Sequence, residues 1–217
     1  KDKYQIPASR NIKKALSIND IEKVYNYPTL LNTPEDKAKD LWFFSYLCNG
    51  INIKDICKLK YRNINFHEGE ITFIRAKTER TRRQNIKPIV AVLTKEINDI
   101  IIKWGNIPKE PNNYVFPILT VDLTPEQEFA RIKQATKTTN KYMKRIGEVL
   151  GLKLILTTYT ARHSYSTILK QSGVPIEFIS ESLGHSDLKT TENYLDSFDF
   201  NTKREVAKKL LNFNSKD

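Results

Sequence analysis

Cysteine occurs only twice in this 217-residue sequence, at Cys48 and Cys57. Two are too few for a disulfide framework or a cysteine-built metal site. Histidine occurs three times, at His67, His163 and His185, with no close cluster of further ligands, so no metal site is expected. No apolar run approaches the roughly 20 residues that cross a bilayer, and no signal peptide opens the chain. A reducing cytoplasm is the expected compartment, with no membrane among the partners. Acidic residues are also outnumbered: 36 Lys and Arg stand against 25 Asp and Glu, for a net charge of +11.

What is present is bulk and positive charge. Ten Tyr, ten Phe and two Trp can fill a core, which excludes disorder throughout. The basic excess is uneven. Residues 53–95 hold 11 basic and 4 acidic side chains, and residues 131–162 hold 8 and 1. Concentration of this kind favours a polyanion-binding surface, because Lys and Arg release counterions when they neutralise phosphates.

Along the chain, residues 1–16 are polar and basic and read as a linker or arm. Ser17 or Asn19 caps a short helix through about Tyr25. Thr33-Pro34-Glu35-Asp36 is a helix start, with Thr33 as cap, Pro34 in the first turn and acids near the positive end of the dipole. The helix it opens carries Leu41, Phe44, Ser45 and Cys48 on one face and ends near Gly50. A short helix over Ile53–Leu59 follows. The period then changes: Ile64, Phe66, Ile71 and Phe73 alternate around Glu68-Gly69-Glu70, and Ile86 to Val92 is again strand-like. This predicts a small antiparallel sheet over about 64–92 bearing Arg75, Lys77, Arg80, Arg82, Arg83 and Lys87.

Helices resume at Thr94–Trp104 and, after a proline-marked loop, over Pro125–Leu150. There Lys133, Lys137, Lys141 and Lys144 recur at helical spacing with few acidic partners, which favours a phosphate-facing stripe over a merely solvated face. Four short helical patterns close the chain: Ala161–Gln171, Pro175–Leu183, Asp187–Leu195 and Asn201–Asn212. The fold class expected is α+β, mainly helical, with one small sheet.

Three C-terminal motifs carry the most information. Thr160-Ala161-Arg162-His163-Ser164 is followed by Ser182-Leu183-Gly184-His185-Ser186, then by Thr190-Thr191-Glu192-Asn193-Tyr194-Leu195. Arg162 precedes His185 by 23 positions and His185 precedes Tyr194 by 9. In order and spacing they resemble the end pattern of the tyrosine recombinases, the phage-integrase family. Upstream, Leu47-Cys48-Asn49-Gly50-Ile51-Asn52-Ile53-Lys54-Asp55-Ile56 resembles that family's Thr-Gly-Leu-Arg-x-x-Glu segment. Arg75-Ala76-Lys77-Thr78 resembles the strand-borne Lys-Thr of its sheet.

The resemblance implies a catalytic domain over residues 17–200 and a tail helix over 201–217, with the family's N-terminal core-binding domain missing from this chain. It implies a bacterial, nucleoid-associated site-specific recombinase, of a phage or conjugative transposon, that cleaves and rejoins double-stranded DNA without a cofactor. A 3′-phosphotyrosine would form on Tyr194, with Arg162 and His185 donating to the phosphate and Lys77 protonating the departing 5′ oxygen. It further implies a tetramer on DNA, with accessory DNA-bending proteins as possible partners. In the tail, Val206, Leu210, Leu211 and Phe213 would dock on a neighbouring protomer or pack on their own domain.

Two positions depart from the family pattern. The first catalytic Arg aligns with Asn52, and the His of His-x-x-Arg aligns with Tyr159. Asn52, Tyr159 and its i+4 neighbour His163 are therefore accessory candidates, with His163 equally readable as a buried histidine steadying the fold. Arg80, Arg82 or Arg83 is expected to supply the missing charge. A DNA-binding remnant that no longer cleaves is the alternative, and a helical protein-interaction module with incidental charge is a more distant one.

Overall fold

The computed structural model describes residues 15–77, 87–185, 187–192, 195 and 204. Helix α1 spans Ile18–Asn26 and is capped by Ser17, whose hydroxyl accepts from the Asp20 amide. Helix α2 spans Pro34–Leu47, with Thr33 as cap and Pro34 in its first turn, as the sequence predicts. It ends three residues short of Gly50, because Asn49 and Gly50 both adopt positive φ, at 53° and 61°. Leu41, Trp42, Phe43 and Phe44 are consecutive and all buried. Four consecutive buried side chains point all round the axis, so this second half of α2 lies inside the fold rather than on it. α2 accordingly packs against α4 (Lys95–Trp104), α5 (Pro125–Val149) and α6 (Thr158–Gln171). Trp42 ties α2 to the start of α6, its indole N–H donating to the Thr157 carbonyl at 2.9 Å and the Thr160 hydroxyl at 3.2 Å.

α3 (Ile53–Lys58) buries Ile53 and Ile56 and leads into the sheet. Strands β1 (Ile64–Asn65), β2 (Glu70–Phe73) and β3 (Ile89–Val92) form an antiparallel meander in chain order. Ile64 pairs with Ile71, Ile71 with Ala91 and Phe73 with Ile89. All five are buried on one face, while Val90 and Val92 face outward, as the period-2 pattern requires. The observed fold class is thus the expected α+β.

Several local expectations change. Phe66 lies outside the strand and is 46% exposed. The Asn65 carboxamide accepts from the His67 and Glu68 amides and turns the chain before Phe66 can pair. Lys77 is not strand-borne: β2 stops at Phe73, and residues 76–77 are already helical. α6 begins at Thr158, three residues before the expected Ala161, because Thr157 and Thr160 cap each other reciprocally. α7 spans Ile176–Ser182 and α8 Leu188–Glu192, residues 193–194 of the expected Asp187–Leu195 helix lying outside the described residues. Of the arm expected over residues 1–16, residues 1–14 lie outside the described residues, whereas Leu16 is buried with its amide donating to the Ser164 hydroxyl at 2.9 Å; the Asn201–Asn212 helix, apart from Arg204, also lies outside them.

Candidate active site

Arg162, on the second turn of α6, is the centre of the site. Only 2% of it is exposed, so its charge sits inside the protein. Its guanidinium is spread across three elements. Nη1 donates to the Gly50 carbonyl at 2.8 Å, and Nη2 donates to the Leu183 carbonyl at 2.6 Å and to His185 Nε2 at 3.1 Å. A planar fork of this reach fixes the α2–α3 turn and the α7–α8 turn relative to α6, which lysine could not do.

The approach of Gly50 needs glycine. Its φ is +61°, and a Cβ there would stand 3.0 Å from Arg162 Cγ and 3.1 Å from Arg162 Cα. Gly184, at φ +62°, likewise lets the α7–α8 turn close on Arg75 and Ile89.

His185 leaves this turn half-buried. A guanidinium cannot accept a hydrogen bond, so His185 Nε2 accepts from Arg162 and the imidazole carries its proton on Nδ1. Nδ1 lies 2.9 Å from the Thr191 hydroxyl, which is fully buried on α8. Burial, then the charges of Arg162, Arg75 and Lys77, push the His185 pKa down to about 3. At neutral pH His185 is an uncharged imidazole that bridges Arg162 to the segment preceding Tyr194.

The sheet side approaches through Arg75 and Lys77. Arg75 Nη1 donates to the carbonyls of Leu183 and Gly184, both at 3.2 Å. Lys77, exposed, is near enough for its charge to act on His185. Asp55 holds this stretch in place, for its Oδ1 accepts from the Ala76 amide at 2.9 Å and its Oδ2 lies 3.4 Å from the Asn52 amide nitrogen. Asn52 thus stands at the N-terminal end of α3 with its side chain turned to Asp55 rather than capping the helix, and brings no charge. Tyr159 and His163 share one face of α6, ring centroids 4.6 Å apart and edge-to-face, with His163 buried and Tyr159 42% exposed.

Of the expected site residues, Arg162, His185, Arg75 and Lys77 come together. Tyr159 lies three residues before Arg162 on α6, and His163 follows Arg162 directly. Tyr194 and Arg80, Arg82 and Arg83 lie outside the described residues. Lys87 is exposed beside β3, and Lys133, Lys137, Lys141 and Lys144 are all exposed on α5. Lys133 and Lys137 line a groove of about 970 Å³ with Lys54 and Lys58 of α3. The groove runs to Asn140, whose side chain accepts from the Thr158 amide at the start of α6.

Sequence reasoning missed four participants. Lys54 and Lys58 were signalled only by lying on the exposed side of a short helix. Asp55 and Thr191 were inside the quoted motifs, but their partners at residues 76 and 185 are fixed by tertiary contact. Among the described residues no group of three or more His, Cys, Asp or Glu side chains could hold a metal ion, and no helix is long and apolar enough to cross a membrane.

A buried guanidinium is joined to a neutral histidine and flanked by a second arginine and a lysine, and in the sequence Thr-Thr-x-x-Tyr follows. Residues 16–200 match the model of the phage integrase family, and the chain belongs to that family. It is 26% identical over 213 residues to a tyrosine recombinase of Pseudothermotoga lettingae, covering 97% of this chain and 68% of that protein. It is 26% identical to tyrosine recombinase XerA of Pyrococcus furiosus over 186 residues, 85% of this chain and 58% of the relative. Among solved structures, XerH recombinase bound to a palindromic difH substrate superposes with a TM-score of 0.63 at 16% identity, covering 94% of this chain and 55% of that one. The Tn1549 transposon integrase in complex with transposon right end DNA gives 0.62 at 13% identity, covering 95% and 69%. At these identities the structural matches establish the shared fold. The chain spans roughly three fifths to two thirds of the curated relatives it matches.

Proposed function

We propose that this chain carries the catalytic part of a site-specific DNA recombinase. The observation that supports it most is the convergence of Arg162, His185, Arg75 and Lys77 from α6, the α7–α8 turn and the segment after β2. Such preorganised donors answer the charge that gathers on non-bridging oxygens as phosphorus becomes pentacoordinate, usually the largest catalytic term. The Tyr194 oxygen attacks phosphorus as its phenolic proton passes to water, the DNA 5′ oxygen leaves with a proton from Lys77, and a 3′-phosphotyrosine holds the bond energy. A DNA 5′ hydroxyl then displaces the tyrosine by the same steps reversed.

His185 meets the phosphate as a neutral ring. Donation from Nε2 needs the other tautomer, for which Arg162 Nη2 must turn from Nε2 to the phosphate while the Thr191 hydroxyl donates to Nδ1 instead of accepting from it. Double-stranded DNA runs along the Lys54–Lys58–Lys133–Lys137 groove, its backbone contacted without regard to sequence. A tetramer on DNA, its order set by the 201–217 tail, accessory DNA-bending proteins and a nucleoid location complete the proposal.

The uncharged Asn52 favours a second reading, a binding remnant that does not cleave. One experiment separates the two: nicked suicide duplexes of randomised sequence should trap a covalent adduct with the chain, and Tyr194→Phe should abolish it. Full DNA binding without an adduct from the unaltered chain would leave the remnant.

A further inference from the structure

Arg75 is placed as though for more than backbone contact with DNA. Its Nη1 and Arg162 Nη2 donate to one and the same oxygen, the Leu183 carbonyl, at 3.2 and 2.6 Å. Two guanidiniums held on a single acceptor are side by side, and carbonyl partners leave both charges intact. The Arg75 Nε–H is buried and has no hydrogen-bond partner among the described residues. A buried donor without an acceptor is costly, and a guanidinium N–H is the donor best matched to a phosphoryl oxygen. The charge of Arg75 also acts on His185, so the arginine faces the same small space as the imidazole. Asn52, on the other side of the Asp55 carboxylate that holds Ala76, contributes only an amide.

We propose that Arg75 is a further catalytic residue, the second guanidinium of the site, which meets the transferred phosphoryl group through its Nε–H beside Arg162. The proposal rests on the recombinase reading above, since the anion it takes is the DNA phosphate. Arg75 thereby supplies from the end of β2 the charge that position 52 lacks. This is a different source from Arg80, Arg82 or Arg83.

The test uses the whole chain with nicked suicide duplexes, single-turnover adduct formation and DNA binding being measured separately. Arg75→Ala should slow adduct formation roughly 100- to 1000-fold, the loss typical of one transition-state donor, while affinity for the duplex changes little. Asn52→Arg in the Arg75→Ala background, or added ethylguanidinium, should restore much of the rate, which no structural repair of the α7–α8 turn would do. Arg75→Ala reacting at the unaltered rate overturns the proposal. So does a slow Arg75→Ala that neither addition restores, for then only the turn at Leu183 and Gly184 was lost. If the unaltered chain forms no adduct, the recombinase reading is what fails. Inorganic phosphate then decides for Arg75: weaker phosphate binding by Arg75→Ala, followed by nuclear magnetic resonance, supports the anion site, and unchanged binding overturns it.

Discussion

Replacing Gly50 by Ala tests whether Arg162 is held by close packing or merely by hydrogen bonds. Gly50 has φ +61°, a conformation that costs an L-residue about 1–2 kcal/mol. Its new Cβ would also stand 3.0 Å from Arg162 Cγ and 3.1 Å from Arg162 Cα, the second a backbone atom that cannot swing aside. Crowding of this kind costs about 1–3 kcal/mol. Gly69 is the internal control, because at φ +69° it has nothing within 4 Å of its Cβ position and Gly69→Ala carries the backbone strain alone. Gly50→Ala should therefore be the less stable of the two by about 2 kcal/mol, some 4–8 °C in Tm for a domain of this size. Urea midpoints compared at a common slope give the same difference without heating. Because the Gly50 carbonyl is also the acceptor of Arg162 Nη1 at 2.8 Å, adduct formation should fall with stability in Gly50→Ala and not in Gly69→Ala. Equal unfolding midpoints for the two variants would refute the packing argument.

Three further outcomes follow from the site and its supports. The unfolded chain binds a proton at His185 near 6.5, and the folded chain not until about 3, so stability falls as pH drops through that window. Urea midpoints of His185→Gln should consequently lose less between pH 7.5 and 4.5 than those of the unaltered chain, and parallel losses would count against a neutral buried imidazole. Thr157→Ala removes the cap of α6 and should cost about 1 kcal/mol, with faster amide exchange at Thr160 as its local signature. Lys133→Gln and Lys137→Gln should each reduce the slope of log affinity against log salt by about 0.9 on duplex DNA, whereas Lys23→Gln, paired with Asp20 on α1, should leave it unchanged.

Much of this molecule was legible along the chain, because the signals concerned are local. Thr33-Pro34 and Thr124-Pro125 start helices wherever they stand, since a cap and a prolyl first turn satisfy the free amides without outside help. Alternation over Ile71, Phe73, Ile89 and Ala91 marked strands with one buried face, and the motifs holding Arg162 and His185 marked two side chains that do meet. The misplacements were local competitions: the Asn65 side chain captured two amides and cut β1 short, and reciprocal Thr157–Thr160 capping moved the start of α6.

Tertiary structure alone decided which charges lie side by side. Arg75 read as one more cation on a basic sheet, yet its guanidinium shares an acceptor with one 87 residues away. Nothing in the sequence states that His185 is neutral, because its pKa depends on burial and on three cations brought to it by folding. Local sequence fixes backbone conformation through short-range hydrogen bonds and sterics. Charge, protonation and pairing are fixed by distances across the fold, and those exist only once α2, α6 and the sheet have packed.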